Sequence, residues 1–205
     1  VLSADVSRDW CGLSESEHSA VASGATRVIH AAATVRFDHP IQEARRINVG
    51  GTRNMLALAE EAHRHGSLKS FTYVGTAFVA GLRSGLVRED ELETGQRFRN
   101  TYEQSKYEAE KLVRSRMPGL PALIVRPSII VGDSQTGMTT SFKAFYWPLK
   151  VYAQGRWRTV PGFPDAVLDI VPVDFVAEAV AHLAFEDRAI GHSFHLCAGP
   201  GGSAT

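Results

Sequence analysis

The chain has 205 residues, 44% apolar and 21% charged, the balance of a globular domain long enough to bury a core. Its 22 Lys and Arg balance 22 Asp and Glu, so no general electrostatic drive toward nucleic acid or an anionic membrane remains. No apolar run approaches the roughly 20 residues that span a bilayer, which excludes an integral membrane segment.

Cys11 and Cys197 make neither a disulfide framework nor a metal-ligand spacing, which suits a reducing compartment, with the cytoplasm as the default address. The chain opens at Val1 without a Met or a signal-peptide pattern, so a piece of something longer is expected.

In chain order, Leu2 to Val6 is a short apolar stretch, and Ser14-Glu15-Ser16-Glu17 has the spacing of a capped helix start. Arg27 to Ala33 reads as a buried strand ending in small residues. Ile41, Ala44, Ile47, Thr52, Met55 and Leu56 predict a long helix from about Pro40 to His65, in which Gly50-Gly51 allow a bend. Phe71 to Val74 is a second strand closing on Gly75-Thr76-Ala77. The charged stretch Arg83 to Arg99 reads as a surface loop, with Glu89, Asp90, Glu91 and Glu93 on a solvated face.

A helix from Tyr102 to Arg116 ends at Met117-Pro118-Gly119. Pro121 to Val131 is expected to be a third buried strand in which Pro127 marks a break or an edge. Phe142 to Val160 is aromatic and basic, Leu168 to Val173 is a short apolar run, a helix is expected from Asp174 to Asp187, and Phe194 to Cys197 is a final strand. Strand, helix, strand, helix, strand predicts a doubly wound parallel α/β sheet, whose ligands sit at the carboxyl ends of the strands. Ala31 to Ala33, Gly75 to Ala77 and Arg126 to Ile129 all fall at or near such ends.

Tyr102 and Lys106, four apart on a helix, share one face about a turn apart. A phenol near pKa 10 is a poor proton donor or acceptor until an ammonium stabilises its anion, so the pair is a candidate acid/base unit, although such pairs also arise by chance on solvated faces. Thr76 stands where a strand-end hydroxyl could meet a substrate carbonyl, or is simply a turn residue. Asn48, disfavoured inside a helix, either faces solvent or has a local hydrogen-bonding task. His63 and His65 face apart, and His192, His195 and Cys197 lack a second cluster, so no metal site is expected. The basic aromatic tract could pack or could contact a ligand.

Seven ordered stretches belong together: Ala4-Asp5-Val6, His30-Ala31-Ala32-Ala33-Thr34-Val35, Asn48-Val49-Gly50-Gly51-Thr52, Tyr73-Val74-Gly75-Thr76-Ala77-Phe78-Val79, Tyr102-Glu103-Gln104-Ser105-Lys106, Arg126-Pro127-Ser128-Ile129-Ile130 and Val171-Pro172-Val173-Asp174. With them the chain resembles the extended short-chain dehydrogenase/reductases. The tract Phe142 to Lys150 with Gly155 to Arg158 resembles the fatty acyl-CoA reductase and thioester reductase branch, and residues of about 140–170 would be the substrate-side segment of a single domain.

The resemblance implies Tyr102 as general acid, Lys106 lowering its pKa and binding the nicotinamide ribose, Thr76 orienting the carbonyl, and Asn48 supporting the helix and a proton-relay water. It implies Asp5 and Val6 at the adenine, Ala31, Ala32 and Ala33 along the cofactor, and Pro127, Ser128 and Ile129 at the nicotinamide. The cofactor would be NADP or NAD, with NADPH favoured, and the partner an acyl-CoA or acyl-carrier protein; a homodimer is compatible. A hydroxysteroid or nucleotide-sugar enzyme, or a catalytically silent Rossmann-like fragment, is the alternative. The family's glycine-rich T-G-x-x-G-x-x-G loop is missing from these 205 residues, and with it the first β-α unit.

Overall fold

The structure is a computed structural model that describes residues 1–140, 142, 146–159, 167–199 and 201–203. Strands β1 (Arg27–His30), β2 (Ser70–Val74), β3 (Ala122–Pro127) and β6 (Ser193–Leu196) form a parallel sheet in the order β1-β2-β3-β6. The register pairs Val28 with Phe71, Thr72 with Leu123 and Val125 with Phe194, so all four strands end at one edge. β3 is buried along its whole length and β2 nearly so, as parallel strands covered on both faces must be.

Helix α1 (Glu15–Gly24) starts with the expected capping box: Ser14 accepts from the Glu17 backbone N–H while the Glu17 carboxylate accepts from that of Ser14. The long helix is α2 (Ile41–Arg45), a π-helical turn at Arg46–Gly50, and α3 (Gly51–Arg64). The irregularity falls where Gly50-Gly51 suggested a bend, but as a wider turn rather than a break. Gly51 has a packing reason: a Cβ there would stand 2.9 Å from Val6 Cγ2.

α3 and α4 (Thr101–Arg116) cover one face through a core including Leu56, Ala59, Phe71, Ala109, Val113 and Ile124. α6 (Val173–Phe185) covers the other over Leu123, Val125, Val171, Val176 and Leu196, so the sheet is doubly wound as predicted.

In residues 121–131 the break falls at Pro127 as expected, but it separates strands of two different sheets. β3 ends at Pro127, and β4 (Ile129–Val131) leaves the sheet to pair in parallel with β5 (Ile170–Pro172). The ladder stops because Pro127 has no N–H; the next donor, Ser128 N–H, makes the last bond to Leu196 before the chain turns away. The aromatic basic tract contains α5 (Tyr146–Ala153), while Lys143, Ala144, Phe145 and residues 160–166 lie outside the described residues. Among the described residues no helix is long and apolar enough to cross a membrane.

Candidate active site

At the carboxyl end of β2 the chain passes through Gly75, whose N–H donates to Val125 O at 2.7 Å. A Cβ at Gly75 would lie 3.2 Å from that oxygen and 3.4 Å from a Glu110 carboxylate oxygen, so only a residue without a side chain fits comfortably. Thr76 follows, buried, its hydroxyl accepting from Phe78 N–H at 3.3 Å and making a long 3.5 Å contact to Pro127 O. The Thr76 hydroxyl also acts on the phenol of Tyr102, drawing its pKa down against the rise that burial causes.

Asn100 caps α4 by accepting from Glu103 N–H at 2.9 Å, which sets the first turn so that Tyr102 faces the strand ends. Tyr102 is half-buried, its ring 5.6 Å from that of Phe37. One turn on, Lys106 is buried; its ammonium donates to Val74 O at 2.8 Å and lies 4.4 Å from the centre of the Tyr73 ring. Burial raises the Tyr102 pKa, with Glu103 adding to the rise and Thr76 opposing it. Burial lowers Lys106 to about 7, against the pull of Glu110. The phenol is therefore held as a proton donor at neutral pH, and the resemblance's implication of a depressed phenol is not what the surroundings of Tyr102 produce here.

Asn48 has the hydrogen-bonding task, not the solvent face. Its Oδ1 accepts from Thr34 N–H at 2.8 Å, and its amide donates to Thr34 O at 3.2 Å and to Ser105 Oγ at 2.9 Å. The π turn thus holds both the segment leaving β1 and the residue beside Lys106. Ala31 and Ala32 are exposed and Ala33 half-buried on that segment, a ledge of small side chains just past the carboxyl end of β1.

Asp5 is exposed and accepts from Ser7 N–H and Oγ, which keeps its carboxyl below the ordinary range. Val6 sits against Gly51 and is anchored by Asn54, which donates to Val6 O at 2.8 Å and Arg8 O at 2.7 Å. Pro127 and Ser128 are buried and Ile129 half-buried where β3 gives way to β4. The structure thus brings Thr76, Tyr102, Lys106 and Asn48 to one edge, with Ala31 to Ala33 and Pro127 at neighbouring strand ends.

Several residues with work to do here have no role that the sequence assigns to them. Buried His30 bonds Thr52 Oγ1 through Nε2 at 3.1 Å, and Thr52 donates to Asn48 O at 2.6 Å. Because Thr52 spends its proton on Asn48, His30 is the donor, and burial with Lys106 nearby lowers its pKa to about 3. Asn54, Ser105, Glu110 and Arg126 belong with it. Only Glu110 carried a legible signal, four residues after Lys106 on the same helix face.

The acidic loop is also more than a solvated face: Glu89 accepts from His195 N–H at 2.6 Å and Glu91 pairs with Arg83 at 2.9 Å. Among the described residues no group of His, Cys, Asp and Glu could hold a metal ion.

The pattern of the male sterility protein family, an NAD-binding family, matches residues 1–180. The chain belongs to that family. It is 30% identical to the nonribosomal peptide synthetase asaC of Aspergillus flavus, over 95% of this chain and 20% of that protein. It is likewise 30% identical to the fatty acyl-CoA reductase wat of Drosophila melanogaster, over 91% of this chain and 41% of the relative. The terminal R domain of the myxalamid PKS-NRPS pathway superposes with a TM-score of 0.86 at 35% identity, covering 96% of this chain and 49% of that one. UDP-glucuronic acid 4-epimerase from Bacillus cereus, in complex with NAD, shares the fold with a TM-score of 0.71 at 23% identity, over 93% of this chain and 58% of the epimerase. The chain therefore spans less than half the length of its first two relatives.

This male sterility domain is an NAD(P)-binding, Rossmann-like unit of short-chain dehydrogenase/reductase type. Its donor set fits one half of the dinucleotide: a buried ammonium and two hydroxyls at the strand ends suit a ribose. Nothing in the 205 residues has the glycine-rich pattern that would cradle a pyrophosphate.

Proposed function

We propose that this domain reduces an acyl thioester, carried by CoA or by a carrier protein, to an aldehyde, with a second round giving an alcohol. The observation that carries the reading is the convergence at the strand ends of Thr76, Tyr102 and, one helical turn on, Lys106, with the Thr76 hydroxyl acting on the Tyr102 phenol. NAD(P)H, when bound, supplies the hydride, and NADPH is the favoured form by resemblance.

Tyr102 and Thr76 hold the carbonyl oxygen as it gains charge, and the protonated phenol gives its proton to that oxygen to form a hemithioacetal. Collapse breaks the carbon–sulfur bond: the hemithioacetal hydroxyl gives its proton back to the Tyr102 phenolate, the sulfur leaves with the bonding pair as a thiolate that takes its proton from water, and the aldehyde is released. Lys106 contacts the ribose and offsets the developing negative charge. Asn48 holds the Thr34 segment and Ser105, so that the ledge of Ala31 to Ala33 and the start of α4 keep their spacing. Asp5 and Val6 meet the adenine, and Pro127, Ser128 and Ile129 the carboxamide end. Residues of about 140–170 form the substrate side of the same domain.

The fatty acyl-CoA reductase and the peptide-synthetase R domain among its relatives support the thioester as substrate. The test is a panel of acyl-CoA, acyl-carrier, hydroxysteroid and UDP-sugar substrates given to the full natural polypeptide with NADPH or NADH, with trapping of aldehyde. Aldehyde formed from thioesters and lost in Tyr102→Phe supports the proposal. Turnover confined to sugars or steroids overturns it.

A further inference from the structure

Glu110 is fully buried on the catalytic face of α4, one turn beyond Lys106. Its carboxylate receives Arg126 Nη2 at 2.6 Å and Nε at 3.1 Å, and Arg114 Nε at 3.0 Å. Arg126, at the end of β3, is itself fully buried. The same guanidiniums hold the loop that leads to α4. Arg126 donates to Glu91 O at 2.7 Å and, at 3.5 Å, to Arg88 O, while Arg114 donates to Glu89 O at 3.0 Å and Asp90 O at 3.1 Å. Four consecutive carbonyls are thus tied to one carboxylate. On its inner side that carboxylate stands against Gly75, the residue before Thr76.

We infer that Glu110 is a positioning residue for Lys106: a buried carboxylate, fixed by two arginines, that favours the charged form of the Lys106 amine against its burial and couples that charge to the loop at residues 88–91. A buried ammonium needs an opposite charge in a low-dielectric setting. The ionisable groups around Lys106 are His30 on β1, Tyr73 on β2, and Tyr102 and Glu110 on α4, with Arg126 of β3 behind Glu110. His30 is neutral and both tyrosines are phenols near pH 7. α2 and α3 present their charges outward, Arg45 to Glu108 and Glu60 to Arg116. Among these groups Glu110 is the buried anion one helical turn from Lys106, its carboxylate beside Gly75 and the Lys106 ammonium on the adjoining Val74 carbonyl. The arginines draw on the same carboxylate, so their loss should leave more of its charge to Lys106.

The importance of Lys106 for turnover rests on the proposed reductase reading, but its ionisation is measurable without it. The lysine Cε signals of the isotopically labelled chain, which has five lysines, are titrated by NMR, with Lys106 assigned through Lys106→Arg. Glu110→Gln should lower the Lys106 midpoint by about one pH unit or more. Arg114→Gln, at a partly exposed position that leaves the buried pair in place, should raise it. An unmoved midpoint in Glu110→Gln, or movement of both variants in one direction, overturns the inference. If Glu110→Gln does not fold, the sign in Arg114→Gln decides: a rise supports it, and no change or a fall overturns it. A midpoint that moves while the pH limb of turnover stays put would sink the role given to Lys106 in the reductase reading and leave this inference standing.

Discussion

The Asn48 side chain donates to Ser105 Oγ at 2.9 Å, joining a π-helical turn on one helix to the residue beside Lys106 on another. With its two bonds to Thr34 this amide spans three segments that are far apart in sequence. Asn48→Ala leaves the Thr34 N–H, the Thr34 carbonyl and Ser105 without that partner, at roughly 1–3 kcal/mol for each buried group that stays unsatisfied. The expected outcome is a lowered Tm and weaker cofactor binding; a variant with wild-type Tm would contradict it.

Tyr102→Phe keeps the ring and its contact with Phe37 while removing the proton. Turnover should fall by about 10²–10⁴-fold with little change in cofactor affinity, the mark of a lost general acid. Equal losses in affinity and rate would point to a binding role instead.

Lys106 links pH to stability with a definite sign. Its folded pKa is about 7, whereas an unfolded lysine titrates near ~10.4. Below pH 7 both states hold the proton and the folded state carries the full cost of a buried charge. As pH rises from about 7 toward 10 the folded amine is already neutral, so stability gains from this group across that window. Lys106→Met should therefore raise Tm most at pH 6 and least near pH 10, while abolishing turnover. Thermal melts at the two pH values check this.

His30 works in the acid range. Held neutral down to about pH 3, it binds fewer protons than the unfolded chain below the ordinary histidine pKa near ~6.5. Its contribution is full above pH 6.5 and is lost as pH falls toward 3. His30→Gln, which retains a donor for Thr52, should flatten that part of the stability profile. A parallel decline in wild type and variant would refute the assignment.

Gly51→Ala would force a Cβ to within 2.9 Å of Val6 Cγ2, and overpacking of this kind costs about 1–3 kcal/mol. The segment at residues 5–8 should shift even though Asn54 still binds it, reducing cofactor affinity more than Tm. Fluorescence titration with NADPH on the full natural polypeptide distinguishes the two effects.

The strand and helix periods, the capping box at Ser14, the i,i+4 pair of Tyr102 and Lys106 and the small residues closing β1 and β2 were legible in the chain because each is a local pattern of a few neighbours. They were enough for a doubly wound parallel sheet with its site at the strand ends. What only the tertiary structure decided depends on residues distant in sequence. Pro127 marks the end of β3 locally, but that the chain then pairs with β5, some 40 residues on, is decided by the fold. Asn48 turns inward because Thr34 and Ser105 wait there, and the Tyr102 pKa rises because packing removes water. Arg126, in sequence no more than a charge interrupting an apolar run, is fully buried because Glu110 and the carbonyls of residues 88 and 91 converge on it. A buried charge is tolerable only where the fold supplies its partners, and those partners are set by three-dimensional packing, not by spacing along the chain.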